Sequence, residues 1–217
     1  EVKGPVVFAG MPLAITWMEY FTDDAPITQK FRAIGPASAD QRALLGFDFR
    51  PWLDGRCACD ISFQRARDGT GRLDLGFDLK EGIIDLPFIK WKKPAGKPGE
   101  GALVLQMAGD KPVAMPTFKL QAGDLSANGS ATFTADGAGF AKVDLADVAF
   151  GKTALADVAF DLTGPAVDVS LGGGHMDVEP WMAERDAPVD PATLDAQELK
   201  PQRPYAARGA LTEVRLG

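Results

Sequence analysis

Along most of this chain apolar and polar residues alternate singly. Between Arg72 and Lys80, the residues Leu73, Leu75, Phe77 and Leu79 share one parity, and Arg72, Asp74, Asp78 and Lys80 share the other. A period of two places successive side chains on opposite faces of a β-strand, so this stretch predicts a strand wet on one side only. Similar short runs recur at PLAITW, KFRAI, CACDISF, ALVLQM, TFKLQA, LSANGSATF, AKVDL, DVAFDL and AVDVSL, separated by turn sequences such as RDGTG, AGD, TADGAG and LTGP. Parallel neighbours would need crossovers of about a dozen residues, and the spacers are too short for that. The pattern therefore predicts a mainly β protein built as a long antiparallel meander.

One hexapeptide, LADVAF, occurs twice, at 145–150 and 155–160. On a single helix the two copies would present faces about 80° apart with a glycine between them, a poor amphipathic arrangement. As strands they form a hairpin around Gly151, Lys152 and Thr153, with Val148 and Phe150 facing Ala156 and Val158. Val143 and Leu145 then fall on the wrong parity relative to Val148 and Phe150. A bulge near Ala146 or Asp147 repairs it.

One short helix is predicted near residues 38–46. Ser38 is its cap, Gln41 stands where a capping-box partner belongs, and Gly46 ends it, so that it packs against or plugs one end of the sheet. Residues 183–204 are polar and punctuated by proline, the composition of a linker or crossing loop. Alternation resumes at 205–217, read as the start of a next β unit after a first segment at 1–182.

Composition narrows the function classes. The formal net charge is −7, from 23 basic and 30 acidic residues, which argues against nucleic acid as a partner. No run of about 18 apolar residues marks a transmembrane helix. The chain opens at Glu1 and is read as a piece of a longer protein. Cys57 and Cys59 alternate on a strand as two small half-buried thiols, and a bridge between them would be strained. The single histidine, His175, lies in GGGHMD, read as a glycine-rich turn, with no nucleophile or second histidine at a motif spacing. The aspartates alternate with apolar residues as the solvated face of strands. Neither catalytic residues nor a metal site nor a cofactor is predicted, and the chain is not read as an enzyme. The segment IIDLPFIKWKKPAGKPGEG leaves two readings open for Trp91 among its lysines: contact with a headgroup surface, or packing under a proline-fixed loop.

The stretch LDLGFDLKEGIIDLPFIKWKKPAGKPGEGALVLQM, followed by LSANGSATF, VDLADVAFGKTALADVAFDL and MDVEPWM, resembles the AsmA-like family, in particular its YhdP-type members in Gram-negative bacteria. The likeness spans residues 70 to 182, and W-x-K-P-x-G and the strand-turn-FGKT element carry most of it. It implies a long, curved, taco-like β-sheet with an apolar concave groove, acting as a periplasmic bridge for phospholipid or another envelope lipid between inner and outer membrane. It further implies tethering to the inner membrane by a segment outside this chain. With the one-sided alternation, it puts Leu73, Leu75, Phe77, Leu79, Leu103, Leu105, Phe133 and Phe160 on the lipid-lining face. The alternative is a structural scaffold for envelope assembly with a closed β core, recruiting envelope protein partners through an edge strand.

Overall fold

The computed structural model describes residues 1–44, 48–185 and 204–215. Gly46 and residues 186–203 of the expected linker lie outside the described residues. In chain order the strands are β1 (Val2–Phe8), β2 (Met11–Glu19), β3 (Ile27–Ala37), β4 (Leu53–Gly55), β5 (Cys57–Ala66), β6 (Thr70–Asp78), β7 (Gly82–Leu86), β8 (Trp91–Lys93), β9 (Gly99–Ala108), β10 (Lys111–Ala122), β11 (Leu125–Phe133), β12 (Phe140–Phe150), β13 (Thr153–Asp161), β14 (Val167–Asp177), β15 (Tyr205–Gly209) and β16 (Glu213–Arg215). The helices are α1 (Ala39–Leu44) and α2 (Glu179–Arg185), with a 3-10 turn at Pro87–Ile89.

The large sheet has 13 strands in the order β1-β2-β3-β5-β6-β9-β10-β11-β12-β13-β14-β15, with β16 also on β14; β4, β7 and β8 form a separate small sheet. The fold is mainly β, as the alternation predicts, and the large sheet is open, not closed into a barrel. From β1 to β14 every neighbouring pair in it is antiparallel. The last two strands depart from the meander: β15 and β16 run parallel to β14 and extend this same sheet.

Local chemistry explains the elements. Ala9 and Gly10 both take positive φ (48° and 75°), the conformation a two-residue hairpin needs between Phe8 and Met11. That turn sets which residues of β1 bond to β2, and it leaves the backbones of Lys3, Pro5 and Val7 on the free edge. Pro5 therefore brings no N–H to an edge that would otherwise invite another strand. At α1 the capping box forms as expected: the Gln41 N–H donates to Ser38 Oγ at 3.3 Å, and the Ser38 N–H donates to Gln41 Oε1 at 2.9 Å.

The doubled hexapeptide is a hairpin, but its loop and register differ from expectation. The loop is Gly151 and Lys152 alone, so Val148 pairs with Leu155 and Phe150 with Thr153. Val148 and Phe150 do not face Ala156 and Val158, because a two-residue loop slides the partner strand by one step relative to a three-residue loop. The bulge stands where parity requires it. Between β11 and β12 the register jumps from Asn128↔Asp147 to Gly129↔Leu145, leaving Ala146 as the extra residue. The second copy repeats the device, since Leu145↔Val158 and Val148↔Leu155 put Leu and Val of both copies on one face. Asp157 carries it with φ 50°. Beside it on β14 lies Gly172, where a Cβ would stand 2.6 Å from the Cβ of Asp157. The repeat encodes the same kink twice, in strands that pair.

His175 is not in a turn; it sits inside β14, opposite Ala154. The preceding glycines serve close approach, because a Cβ on Gly172 would meet Asp157 and one on Gly174 would meet the backbone of Ala154 and Leu155.

Candidate functional site: an apolar track across the sheet

The strand registers trace one cross-strand rung through the whole large sheet. It starts Gly4↔Ile15↔Ala33↔Ile61↔Leu75↔Leu103 across β1, β2, β3, β5, β6 and β9. It continues Leu103↔Phe118↔Gly129↔Leu145↔Val158↔Leu171↔Gly209 through β10 to β15. None of these residues has a polar side chain. Paired residues in a sheet point to the same side, so the rung is one continuous apolar strip. With strands about 4.8 Å apart, twelve strands make it about 50 Å long. The bulges in β10, β12, β13 and β14 keep it continuous, because each shifts a strand's parity back into line. At Gly129 only glycine fits, since a Cβ there would lie inside the carbonyl oxygen of Asp144.

A second apolar rung, Val2↔Trp17↔Phe31↔Phe63↔Leu73↔Leu105, flanks it through β1 to β9, and Met115↔Ala131↔Val143↔Phe160↔Val169↔Ala207 does the same from β10 to β15. The opposite face is polar. There Arg32 holds Asp60 with two hydrogen bonds (2.9 and 2.6 Å), and Arg72 holds Asp74 at 2.9 and 2.7 Å. The Arg32 hydrogen bonds keep the Asp60 carboxyl below the usual carboxylate range. Shallow depressions on this side have floors of small residues such as Gly76 and Ala102 beside Lys119 and Asn128.

The two rims of the sheet differ. At one, the strands are joined only by turns: 20–26, 67–69, 109–110, 134–139 and 162–166. At the other stand α1, the small sheet β4-β7-β8, the 3-10 turn and α2, which together form a flap. Beneath it Met11, Ala37, Cys57, Cys59, Leu79, Ile84 and Ala122 make a buried cluster, with Leu13, Leu53, Ile61, Phe77, Leu86, Leu120 and Trp91 against it. Phe49 meets Phe77 edge to face at 6.1 Å between centroids. Burial pushes the Cys57 thiol up and the Cys59 thiol up to about 11.

Two buried cations staple the flap. Arg42, 2% exposed, donates through Nη1 to the carbonyls of Ala37 (3.2 Å) and Gly55 (2.9 Å) and to Cys57 Sγ (3.4 Å), and through Nη2 to the Leu53 carbonyl (3.1 Å); its Nε alone has no partner. Lys93, also 2% exposed, donates from Nζ to the carbonyls of Gly82 (2.7 Å), Pro94 (3.2 Å) and Lys80 (3.4 Å), and burial lowers its pKa. The flap is latched outward as well. Trp91 Nε1 donates to Asp124 Oδ1 at 2.8 Å, the Gly151 N–H donates to the other carboxylate oxygen at 3.1 Å, and Trp181 Nε1 donates to the Phe88 carbonyl at 3.2 Å. Of the two readings left open for Trp91, the structure thus has the packed one. The indole rests on the flap core, Lys92 pairs with Asp85 at 2.7 Å, and Lys93 is turned inward.

The expected lining residues fall into three places. Leu75 and Leu103 lie on the central rung, and Leu73, Leu105 and Phe160 on the flanking one. Phe133 lies beyond them near the turn rim, its ring tilted at 38° to that of Phe140 with centroids 4.9 Å apart. Phe77 and Leu79 belong to the flap core. Several central-rung residues escaped the sequence reading: Ile15, Ala33, Ile61, Phe118, Leu145, Val158 and Leu171. Phe118 and Val158 share the parity of neighbours that are easy to read, but Ala33 and Gly129 carry no hydrophobic signal. Their membership comes from pairing.

The middle of the track is half-buried. Ile15, Ile61, Leu103, Phe118, Leu145 and Leu171 are all intermediate in exposure, while Ala33 and Val158 are 4% and Leu75 3% exposed. A second sheet lying on this face would bury them throughout. Among the described residues no group of three or more His, Cys, Asp or Glu comes together to hold a metal, and no helix is long and apolar enough to cross a membrane. Compared with family models, with characterised proteins and with solved structures, the chain finds no match.

Proposed function

We infer that this chain is a segment of a periplasmic bridge-like lipid carrier, which shields the acyl chains of phospholipid or another envelope lipid passing between inner and outer membrane. The observation that carries the reading is the unbroken apolar rung across twelve strands, on which Ile15, Ile61, Leu103, Phe118, Leu145 and Leu171 stay partly exposed. A palmitoyl-sized chain in water is unfavourable by about 12 kcal/mol at about 0.8 kcal/mol per methylene, so any stretch of polar path would be a barrier. A rung with no polar side chain offers none. The resemblance to AsmA-like proteins points the same way. The scaffold reading finds less support, since it needs a covering layer over the central rung and an edge open to partner strands, whereas Pro5 blunts the β1 edge.

Photo-crosslinking residues test this. Placed at Leu103 and Phe118 they should capture phospholipid in cells, and placed at Ala102 and Lys119, the adjacent positions on the polar face, they should not. Equal capture on both faces, or none on the track, overturns the proposal.

A further inference from the structure

We propose that a pocket at the β1 edge of the apolar face binds the ammonium group of a zwitterionic aminophospholipid such as phosphatidylethanolamine. The proposal rests on the reading of this face as a lipid track and adds to it a selectivity for the cargo's headgroup.

The pocket, of about 420 Å³, is lined by Glu1, Val2, Ile15, Trp17, Glu19 and Phe21. Strand β2 sets its order. Ile15, Trp17 and Glu19 alternate onto the apolar face, so that a carboxylate follows the indole about 6.8 Å further along the strand. Ile15 belongs to the central rung and Trp17 to the flanking one, so the pocket opens directly onto the track. Trp17 is 40% exposed, its ring set edge to face against Phe31 at 6.0 Å, and Phe21 stands 87% exposed in the turn that follows.

A carboxylate beside exposed aromatic rings is the chemistry that recognises an ammonium. The ring face attracts a cation lying within about 6 Å of its centroid, and the carboxylate supplies the opposite charge. Glu19 is free to do so, since it makes no hydrogen bond or ion pair among the described residues. The cations near it are engaged or turned away. Arg65 stands on the same rung, beyond Gln29, but its Nη2 reaches Asp110 at 2.8 Å. Arg67 donates to the carbonyls of Thr22 (2.5 Å) and Ala25 (3.2 Å) and lies 3.9 Å from Asp23. Lys3 and Lys30, paired with Thr16 and Met18, point to the opposite face. Asp24, exposed in the same turn, adds negative charge.

The exposed aromatics of the flap have the contrary setting. Trp52 and Phe88 share their rim with exposed Arg50, Arg56, Lys80, Lys90, Lys92 and Lys97, whose like charge disfavours an ammonium, and the carboxylates of Asp48 and Asp85 are already held by Arg50 and Lys92.

Headgroup selection tests the assignment. The purified chain is incubated with vesicles holding equal amounts of phosphatidylethanolamine and phosphatidylglycerol with identical acyl chains, re-isolated, and its bound lipid quantified by mass spectrometry. The parent should retain phosphatidylethanolamine in about 3- to 10-fold excess. Glu19→Gln and Phe21→Ala should each bring the ratio close to parity, whereas Glu100→Gln, which removes one charge from the polar face, should leave it unchanged. Equal retention of the two lipids by the parent, an excess that survives both pocket variants, or an excess that falls as far with Glu100→Gln overturns the ammonium site and leaves the lipid reading standing. Absence of bound lipid overturns both.

Discussion

The indole of Trp91, in the small sheet, donates to the carboxylate of Asp124, in the turn between β10 and β11, at 2.8 Å. This hydrogen bond fastens the flap to a strand pair far along the meander. It also lowers the pKa of Asp124, with the Gly151 N–H adding to the effect. A carboxyl group whose folded pKa is depressed contributes stability that is fully present above its unfolded value of about 3.9 and is lost as pH falls through the folded value. Asp124→Asn should therefore lower stability by about 1 kcal/mol at neutral pH, and the gap from the parent should close on acidification below about pH 4. Urea midpoints of both proteins between about pH 6 and about pH 3 measure it; a gap that stays constant with pH contradicts the assignment.

Arg42 answers several backbone carbonyls from α1, so its removal strands them together. Arg42→Met keeps the apolar stem and should destabilise by about 2–4 kcal/mol, and Arg42→Lys should not restore the loss, because an ammonium cannot reproduce the guanidinium fork. Hydrogen exchange locates the damage. Amides of 53–55 and 82–93 should speed up while those of β12 to β14 stay protected.

Leu79 and Phe118 share the apolar face but not its cover. An aspartate at Leu79 places a charge in the closed flap core and should remove more than about 4 kcal/mol of stability. At Phe118, half-exposed on the central rung, the same charge keeps partial hydration and should remove about 1–2 kcal/mol while abolishing lipid retention through purification. Urea midpoints and lipid mass spectrometry on the two variants separate these effects. Phe77 makes a weaker probe than its place in the alternation suggests, because Phe49 covers it.

At the paired bulge, Gly172 leaves room for the side chain of Asp157. Gly172→Ala should destabilise by about 1–3 kcal/mol, since its Cβ would stand 2.6 Å from that of Asp157. Asp157→Gly alone should be neutral or stabilising by up to about 1 kcal/mol, as glycine adopts φ 50° freely. The double variant should recover most of what Gly172→Ala loses, and a double-mutant cycle in urea with no coupling would show that the crowding is absent.

Much of this arrangement can be read from local sequence. The alternation through Leu73 to Leu79, the Ser38–Gln41 capping box and the bulge at Ala146 each depend on residues within a few positions of one another. The flap does not. Ile83, Ile84 and Leu86 form too short a run to show a period, and the inward turn of Lys93 depends on the carbonyls of Lys80 and Gly82, which meet it only in the folded chain. The register of the LADVAF hairpin turned on whether Thr153 belongs to loop or strand, which composition leaves open. The parallel docking of β15 on β14 is a long-range pairing with no local signature. The track itself lies between these cases: parity marks its large residues, and pairing alone recruits Ala33 and Gly129.

The flap is assembled from two detours in an otherwise serial meander, one between β3 and β5 and the other between β6 and β9, and β4 pairs with β7 across them. Each strand from β9 to β14 can add to its predecessor as a hairpin, with little loop to close at each step. The β4–β7 pair must instead wait until β5 and β6 have brought both detours to the same rim, and its closing carries the entropy of a longer loop. The seal over Leu79 is therefore expected to close only after the hairpins that bring both detours to the same rim.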